Sequence, residues 1–486
     1  MLAQLAREGA VIDRLVSDSR RAGPGAAFFA WRGTRADGRR HIPQAVERGC
    51  AAVLWESEGY AWDPGLEARR RVPNAGVRDL KAKAGGLAHA FHGRPSESLW
   101  VCGVTGTNGK TSCSQWLAHL LGGLGEKAGV IGTLGAGLPP ALDPTTNTTP
   151  DVLEVHALLA RMRDEGARAI AMEVSSHGLD QGRVDAVAFD CALFTNLTHD
   201  HLDYHGSMAA YAAAKARLFD VPGLQAAVLN LDDAFGVELS RRVAARGVRV
   251  IGYGFAPAPG GERLSAAPLE DGRTRIESSW GAAEVAIPQL GRFNLANALG
   301  VLGCLVAKGI PFAEAAPMLE RLPAVPGRMQ RVGDRPLVVV DYAHTPDALD
   351  KVLAALQPVA RERGGRLVAV FGAGGGRDAA KRPEMGLAAA RRADRVVLTS
   401  DNPRDEDPLA ILEAVRRGAE GAGGAACEVE PDRARAIAGA IAGARDADVL
   451  LIAGKGHEDY QDVAGRRLPF SDAAVAAEAL AKRTAR

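Results

Sequence analysis

The sequence contains few cysteines and no long hydrophobic run, and each shortage excludes a class of protein. Its six cysteines show no C-x-x-C pairing and mostly lie in apolar segments, as small buried side chains do in a reducing compartment. We therefore expect neither disulfides nor a structural zinc site. The longest apolar stretches, such as residues 298–307, are too short to cross a bilayer, and charged residues such as Arg7 and Asp13 stand where a signal peptide needs its apolar segment. A cytoplasmic protein without membrane insertion is expected.

The sequence also lacks an excess of either charge. Lys and Arg number 59 against 58 Asp and Glu, which gives no basic surface for a nucleic acid or an anionic lipid. We expect small-molecule ligands, no nucleic-acid partner and a monomer. A chain of 486 residues is long for a single hydrophobic core, so two or three domains are predicted.

The most informative segment is V-C-G-V-T-G-T-N-G-K-T at residues 101–111, where an apolar run breaks into glycines and ends in Lys-Thr before a helical segment. It predicts a phosphate-binding loop, in which glycines allow backbone N–H groups to face a polyphosphate. Lys110 would reach the outer phosphates, and the Thr111 hydroxyl would bind Mg²⁺. The general G-x-x-x-x-G-K-[ST] signature requires glycine at Val104, so the narrower G-T-N-G-K-T carries the prediction.

Other residues of the central segment suggest chemistry beside this loop. Glu173 ends an apolar strand, and a carboxylate there commonly holds Mg²⁺, although an ordinary surface glutamate has the same pattern. Residues 193–205 contain three histidines and two aspartates within seven positions, which favours metal binding. Lys215 lies in an alanine-rich helical segment, where a lysine is usually at the surface. Asn294 and Asn297 are candidates for base or ribose contacts, with N-capping as the alternative for Asn294.

The order of apolar segments predicts three α/β domains, at residues 1–97, 98–325 and 326–486. The first contains polar loops at residues 16–20 and 33–40 that suit a diphosphate or uridine, although solvated surface loops have the same composition. The second alternates strand and helix, which predicts a mostly parallel sheet.

In the third domain, strands are predicted at residues 367–371, 395–400 and 449–453, each followed by a loop rich in glycine or containing proline. These loops would lie at the carboxyl ends of parallel strands, where open α/β sheets bind ligands. A dinucleotide-binding loop is not favoured, because the third glycine of G-x-G-x-x-G is replaced by Arg377. Linkers between the domains are predicted at residues 92–98 and 323–336.

The combined motifs resemble those of the Mur ligases of peptidoglycan synthesis, most closely the branch that adds the third peptide residue. They are G-T-N-G-K-T, N-T-T-P, E-V-S-S-H-G, T-N-L-x-x-D-H-L-D-Y-H-G, F-N-x-x-N, D-Y-A-H-T-P, D-N-P-R and G-K-G-H-E. The resemblance covers nearly the whole chain. It implies an α/β fold of three domains: a small UDP-binding domain, a central P-loop domain with a parallel sheet, and a C-terminal Rossmann-like domain.

The resemblance further implies ATP-driven amide formation. The side-chain carboxylate of D-Glu in UDP-N-acetylmuramoyl-L-alanyl-D-glutamate would accept the γ-phosphoryl group of ATP. An amine of meso-2,6-diaminopimelate would then attack the acyl phosphate. L-lysine as the third residue is the alternative, which the D-N-P-R loop decides, and a folylpolyglutamate synthase-like ligase is a more distant one.

By the same resemblance, one set of residues would bind ATP and the metal. The nucleotide would contact Gly106, Thr107, Asn108, Gly109, Lys110, Thr111, Ser112, Asn297, Arg328 and Asp341. The ligands of Mg²⁺ would be Thr111, Glu173, His201 and Lys215, the last as a carbamate formed with CO₂. The catalytic groups would be Lys110, Glu173, His201, Lys215 and His344.

Two further sets would bind the molecules that are joined. The muramoyl dipeptide and its UDP end would contact Ser17, Ser19, Thr34, Arg35, Ala36, Asn147, Thr148, Thr149, Ser175, Gln181 and Arg183. Meso-diaminopimelate would contact Arg377, Asp401, Asn402, Pro403, Arg404, Gly454 and Glu458. Catalysis would then require the last two domains to close on each other.

Two other classes fit single motifs. A metallohydrolase is suggested by H-D-H-L-D-Y-H, but Tyr204 stands where the final histidine of H-x-H-x-D-H should be, and the phosphate loop argues against it. A P-loop switch or transport ATPase lacks support, because no N-K-x-D guanine signature is present.

Overall fold

The computed structural model describes residues 1–33, 36–69, 71–256, 261–376, 378–421 and 425–484. Within these residues the strands form three large sheets, of four, eleven and six strands, and one two-stranded hairpin. In this part of the chain, no helix is long and apolar enough to cross a membrane. Short 3₁₀ segments lie at Ser19–Arg21, Gly38–His41, Pro95–Glu97, Arg217–Asp220 and Leu319–Arg321.

The first sheet has four parallel strands in chain order. Its strands and helices are β1 (Arg14–Val16), β2 (Ala26–Ala30), β3 (Ala52–Glu56), β4 (Asn74–Val77), α1 (Leu2–Arg7), α2 (Ile42–Glu47), α3 (Pro64–Arg69) and α4 (Leu80–Phe91). Every residue of β2 is buried, because apolar clusters cover both faces of the sheet. This arrangement confirms the predicted small α/β fold.

The second sheet is the largest and carries the phosphate loop. Its strands are β5 (Trp100–Thr105), β6 (Ala128–Gly132), β7 (Gly135–Leu138), β8 (Ala141–Asp143), β9 (Ala169–Glu173), β10 (Cys191–Phe194), β11 (Ala226–Asn230), β12 (Arg249–Gly254), β13 (Glu262–Pro268), β14 (Thr274–Ser278) and β15 (Gly281–Val285). Its helices are α5 (Lys110–Gly123), α6 (Val152–Asp164), α7 (Ser176–Asp180), α8 (Leu202–His205), α9 (Met208–Ala216), α10 (Ala234–Ala244), α11 (Arg292–Ala307) and α12 (Phe312–Met318).

The strand order of this sheet is β15-β14-β13-β12-β11-β10-β5-β9-β6-β7-β8, and the strands from β13 to β6 are parallel. Helices α5 and α11 pack on one face, and α6 and α10 on the other. In the sheet, β6 lies on one side of β5, beyond β9, and β10 lies on the other side of β5. The chain leaves β5 toward β6. The loop after β5 therefore opens at a topological switch point, where such sheets bind ligands.

The third sheet has the order β16-β17-β21-β18-β19-β20, in which only β16 is antiparallel to its neighbour. Its strands are β16 (Gln330–Asp334), β17 (Leu337–Asp341), β18 (Leu367–Phe371), β19 (Arg395–Leu398), β20 (Ala426–Val429) and β21 (Val449–Ala453), and the hairpin is β22 (Tyr460–Val463) with β23 (Arg466–Pro469). The helices are α13 (Pro346–Glu362), α14 (Lys381–Arg392), α15 (Pro408–Glu420), α16 (Arg433–Ala442) and α17 (Asp472–Thr484).

Of the sequence predictions for this sheet, two strands are confirmed and one linker is wrong in part. The strands predicted at 367–371 and 449–453 are β18 and β21, and their following loops lie at the carboxyl edge, as expected. The predicted linker at 323–336 is wrong in part, because it contains β16, which pairs antiparallel with β17. An edge strand of this kind is half-exposed and shows no apolar run that would mark it in the sequence.

Candidate active site

The phosphate loop joins β5 to α5 and is curled around its own lysine. Lys110 Nζ donates to the carbonyl oxygens of Gly106 at 2.8 Å and Thr107 at 2.9 Å. Burial lowers the pKa of Lys110, and the nearby carboxylates of Glu173 and Asp200 partly offset this shift. The predicted cation is therefore held inside the loop, at the start of the helix whose dipole favours an anion.

The two loop glycines are required by close approach. Gly106 and Gly109 have φ values of 150° and 89°. A Cβ at Gly106 would lie 1.9 Å from Thr195 Oγ1, and one at Gly109 would lie 2.5 Å from Asn297 Oδ1. The first contact closes the loop on the segment after β10, and the second places Asn297 of α11 against the loop, as the nucleotide-binding prediction requires.

The segment after β10 is hydrogen-bonded to the phosphate loop. Asn196 accepts the Thr107 N–H at 2.8 Å through its carbonyl oxygen and the Asn108 N–H at 3.0 Å through its side chain. The Thr107 hydroxyl lies 3.1 Å from Tyr211 Oη of α9, and Ser112 is buried in the first turn of α5. Asn108 Nδ2 is buried and has no hydrogen-bond partner among the described residues. Asn196 and Tyr211 were not predicted, since neither belongs to the loop.

Glu173 and Thr111, both predicted to bind Mg²⁺, form a hydrogen-bonded corner, here called the magnesium corner. The fully buried carboxylate accepts the Thr111 hydroxyl at 3.0 Å, together with the Thr133 N–H at 2.8 Å and hydroxyl at 3.0 Å. Arg328 Nη2 also donates to Thr111 Oγ1 at 3.1 Å, which links this corner to the C-terminal part of the chain. Carboxylate and hydroxyl oxygens are the ligands that Mg²⁺ prefers, so this donor set fits the ion. Thr133 was not predicted.

Lys215 is buried rather than at the helix surface. It is 1% exposed, its Nζ donates to Gly106 O at 2.8 Å, and it lies 4.5 Å from the centre of the Tyr211 ring. Burial, followed by the charge of Lys110, lowers the pKa of Lys215 well below its usual value. The structure thus brings Lys215 to the phosphate loop, as the family resemblance implies.

His201 and Asp200 lie beside these lysines. Burial lowers the pKa of His201 to about 3, despite the opposing charge of Asp200, so its imidazole is neutral and able to bind a metal. Burial would raise the pKa of Asp200, but the charges of His201, His344 and Lys381 outweigh it and the pKa lies below its usual value. Asp200 was not among the predicted site residues, although it stands next to His201 in the same motif.

Residues of the D-Y-A-H-T-P segment connect the third sheet to this site. Asp341 ends β17 and accepts the N–H groups of Met329 at 2.7 Å and Ala343 at 2.8 Å. It thereby fixes the turn that carries Arg328, whose guanidinium lies 4.4 Å from the Tyr342 ring centre. His344 Nδ1 lies 2.8 Å from Tyr342 O, and burial lowers the pKa of His344.

Most of the residues predicted for the muramoyl dipeptide form one hydrogen-bonded group. Thr149 donates to Glu173 O at 2.9 Å and to Ser175 Oγ at 3.2 Å, and Arg183 Nη1 donates to Thr149 O at 2.8 Å. Gln181 Oε1 accepts from Arg183 Nη2 at 2.7 Å. The Thr148 hydroxyl lies 3.1 Å from Thr133 Oγ1, and the exposed Asn147 donates to Thr146 Oγ1 and accepts the Thr145 hydroxyl. Most of this set therefore lies beside the magnesium corner.

The residues predicted for the UDP end lie on the first sheet. Ser17 follows β1 and donates to Asp151 at the start of α6, at 3.1 Å, while Ser19 donates to Gln44 at 2.7 Å. Ala36 O accepts the Gly33 N–H at 2.8 Å. Thr34, Arg35 and, in the third domain, Arg377 lie outside the described residues. Ser17 thus joins the first sheet to the helix that precedes the dipeptide group.

Four of the residues predicted for diaminopimelate, Asp401, Asn402, Gly454 and Glu458, lie around a buried cation, Lys455, that was not predicted. Lys455 is fully buried, and its Nζ donates to Asn402 Oδ1 at 2.9 Å and Glu458 Oε2 at 3.2 Å, with Asp401 Oδ1 at 3.7 Å. Asn402 Nδ2 also donates to Glu458 Oε2 at 2.9 Å. Gly454, with φ of 116°, could not carry a Cβ without tight contact, at 3.2 Å, with Asp401. Lys455 therefore unites the loops after β19 and β21.

Arg404 lies at the rim of this cluster. Its backbone has φ of 52° and pairs with the hairpin, because Arg404 N donates to Asp462 O at 3.0 Å and Ala464 N donates to Arg404 O at 2.8 Å. Its guanidinium donates to Gly375 O, while the neighbouring Glu406 bonds to Gly376 N and Arg382 instead. Pro403 O lies against Gly375, where a Cβ would come within 1.9 Å. Among the described residues, the guanidinium therefore forms no ion pair with the acidic residues that follow it.

Comparison with known proteins places every part of this site in one family. The Mur ligase family catalytic domain matches residues 11–92, the Mur ligase middle domain matches 104–305, and the Mur ligase glutamate ligase domain matches 327–456. A UDP-N-acetylmuramoyl-L-alanyl-D-glutamate--2,6-diaminopimelate ligase of Chromobacterium violaceum is 50% identical over 98% of this chain and 96% of its own. One of Ectopseudomonas mendocina is 50% identical over 99% and 97%.

Solved structures also resemble this chain over most of its length. One of a UDP-N-acetylmuramoyl-L-alanyl-D-glutamate--2,6-diaminopimelate ligase is 34% identical, covers 97% of this chain and 95% of its own, and has a TM-score of 0.67. Folylpolyglutamate synthase of Mycobacterium tuberculosis, at 19% identity and a TM-score of 0.62 over 77% of this chain and 91% of its own, shares the fold. By sequence, site and fold, this chain belongs to the Mur ligase family.

Proposed function

We propose that this chain is an ATP-dependent ligase of the MurE branch, which joins meso-2,6-diaminopimelate to the D-Glu side-chain carboxylate of UDP-N-acetylmuramoyl-L-alanyl-D-glutamate. The relatives with that name are 50% identical over nearly the whole chain. The observation that carries the proposal is the contact of Arg328 with Thr111, because it joins the phosphate loop to the unit that carries the amino-acid loops. A ligase needs both in one site.

In the first step, the D-Glu carboxylate attacks the γ-phosphorus of ATP, and ADP leaves. Phosphoryl transfer asks the protein chiefly to position groups and neutralise charge. Lys110 meets the β- and γ-phosphates, while Gly106 to Ser112 supply backbone N–H groups and the helix N-terminus. Asn297, Arg328 and Asp341 hold the nucleoside, and His344 lies near the phosphates.

Mg²⁺ would be held by Thr111, Glu173, His201 and Lys215, and when bound it neutralises charge on the transferring phosphoryl group. Lys215 serves only as a carbamate, since an ammonium would repel the ion. Its buried amine, once unprotonated, can attack CO₂ to form N–COO⁻ with release of one proton. The lowered pKa of Lys215 favours this reaction, because only the unprotonated amine is a nucleophile.

The acceptor substrate would lie along Thr149, Ser175, Gln181 and Arg183, with Asn147 and Thr148 beside the magnesium corner and the UDP end at Ser17, Ser19 and residues 34–36. This path runs from the first sheet to Glu173. It supports the assignment of residues 1–97, 98–325 and 326–486 to UDP-muramoyl, ATP and amino-acid binding.

In the second step, an amine of diaminopimelate attacks the acyl phosphate, and phosphate leaves. Asp401, Asn402, Glu458 and Gly454 would receive its amino and carboxyl groups, with Arg377 and Pro403 at the edge. The Arg404 guanidinium would bind the second, distal carboxylate of diaminopimelate through charge-assisted hydrogen bonds. L-lysine lacks that carboxylate and would leave Arg404 desolvated and unpaired, so the enzyme selects diaminopimelate.

The test is a ligation assay that offers meso-diaminopimelate and L-lysine side by side, with ATP, Mg²⁺ and the muramoyl dipeptide. We expect phosphate release that depends on the dipeptide and a product that contains diaminopimelate. Lysine incorporation at a comparable rate would overturn the specificity, and phosphate release without the dipeptide would overturn the ligase itself.

A further inference from the structure

Three cysteines that are far apart in sequence meet in the core behind the phosphate loop. Cys102 is on β5, Cys191 is its direct neighbour on β10, and Cys304 is on α11. Their Sγ atoms all lie within 4.8 Å of one another, and those of Cys102 and Cys304 are 3.8 Å apart. Each residue is at most 1% exposed. All six cysteines of the chain are free thiols.

This cluster differs from ordinary packing of small hydrophobic residues, because three soft ligand atoms face one point. Thiolate bonds of about 2.3 Å to a central atom would place three sulfur atoms roughly 4 Å apart. The Sγ atoms of Cys102 and Cys304 already have about this spacing, and all three lie within 4.8 Å of one another. No histidine or carboxylate joins the group within the described residues. The trio is therefore arranged for a three-coordinate centre, whereas structural zinc takes four ligands.

The total charge of the three thiolates and the bound ion indicates which ion fits the site. Three thiolates carry three negative charges, so a monovalent or divalent metal would leave a net charge in an apolar core, which is costly. A trivalent centre leaves no net charge. We propose that Cys102, Cys191 and Cys304 form a binding site for one trivalent thiophilic species of the arsenous or antimonous acid class.

The reaction needs no oxidant. Neutral arsenous acid exchanges its three hydroxyl groups for three sulfur atoms: three As–S bonds form, three As–O bonds break, and each thiol proton leaves with a hydroxyl group as water. Arsenic stays trivalent, and the product is uncharged. The thiols of Cys102 and Cys304 both lower the pKa of Cys191, so the first proton is lost there.

The adduct would tie together three elements that support the phosphate loop. Strand β5 leads directly into Gly106, and α11 carries Asn297 against Gly109. Because the sulfur atoms are buried, entry requires local opening of this core, and binding is expected to be slow. Once formed, the adduct stabilises the folded domain, since the unfolded chain does not hold the three thiols together.

The test uses the reduced, purified full-length protein incubated with sodium arsenite, followed by intact-mass measurement under native conditions and arsenic X-ray absorption. We expect one arsenic per chain, bound to three sulfur atoms, in the wild type. Cys304→Ala and Cys102→Ala should lose this adduct, while the control Cys427→Ala, which changes a cysteine outside the trio, should keep it.

Thermal unfolding gives a second readout if a cluster variant folds poorly: arsenite should raise the midpoint of the wild type and of Cys427→Ala. Absence of an adduct in the wild type after prolonged warming would overturn the proposal. So would arsenic bound to two sulfur atoms, an adduct that persists in the cluster variants, or tighter binding of zinc than of arsenite to the same trio.

Discussion

Lys455→Met should both destabilise the third domain and weaken amino-acid binding. The ammonium is fully buried and is the shared partner of Asn402, Glu458 and Asp401. Removing one member of a buried ion pair typically costs about 3–5 kcal/mol, because the remaining charge stays buried without a partner. Glu458 is 18% exposed and is partly screened by water, so we expect the lower end, about 3 kcal/mol.

That loss corresponds to a fall of roughly 6–12 °C in the unfolding midpoint for a domain of this size. The control is Lys482→Met in the same domain, where an exposed ion pair with Glu478 contributes little to the stability. The double variant Lys455→Met/Glu458→Gln should regain part of the lost stability, because it removes one of the unpaired carboxylates.

Kinetics separate this role from general instability. Asn402 and Glu458 lose the group that orients them, so the KM for diaminopimelate should rise about tenfold for each ~1.4 kcal/mol of lost binding. The KM for ATP should change little, because the phosphate loop has no contact with Lys455. A variant with the stability and the KM values of the wild type would refute the reasoning.

Four further outcomes are expected. Lys110→Ala should keep the wild-type unfolding midpoint and lose ligation by at least about 100-fold; near-normal turnover would contradict the loop assignment. Lys215→Ala should lose activity and recover part of it with small carboxylates, whereas active wild-type enzyme whose mass shows only a plain lysine would exclude the carbamate. Arg404→Ala should raise the KM for diaminopimelate and leave the KM for ATP within a few-fold; unchanged preference over lysine would place discrimination elsewhere. Asp448, whose pKa is about 2 because hydrogen bonds from Arg445 and Arg366 outweigh burial, should contribute about 2 kcal/mol above pH 4 and lose it between pH 4 and 2. The stability gap between wild type and Asp448→Asn in urea unfolding should therefore shrink over that range, and a constant gap would contradict it.

The sequence predicted best the parts whose chemistry is local. The phosphate loop is one continuous segment, and β18 and β21 are apolar runs that end at glycines, so pattern alone located them. Glu173, which its strand indicated, and Lys215, whose role only the family resemblance supplied, both lie near Lys110. Their roles toward ATP and the metal stay predictions.

What the sequence could not show depends on distant partners. The alanine-rich setting of Lys215 is typical of a surface helix, and only packing of α9 against the loop buries it. Lys455 is a single cation between two glycines. The G-K-G-H-E pattern does not indicate that Asn402 and Asp401 lie beside it. The cysteine trio is assembled from three elements spread over 202 positions, so a search for C-x-x-C spacing does not find it.

The backbone pairing of Arg404 with the hairpin has a consequence for how substrate choice can evolve. Two main-chain hydrogen bonds hold position 404 in place, and they do not depend on which side chain is present. The left-handed backbone there, with φ of 52°, tolerates asparagine or glycine at least as well as arginine. The recognition element can therefore be exchanged while the scaffold that presents it is kept. Directed evolution toward a different third amino acid should accordingly begin at this position, because few compensating changes in the fold are needed.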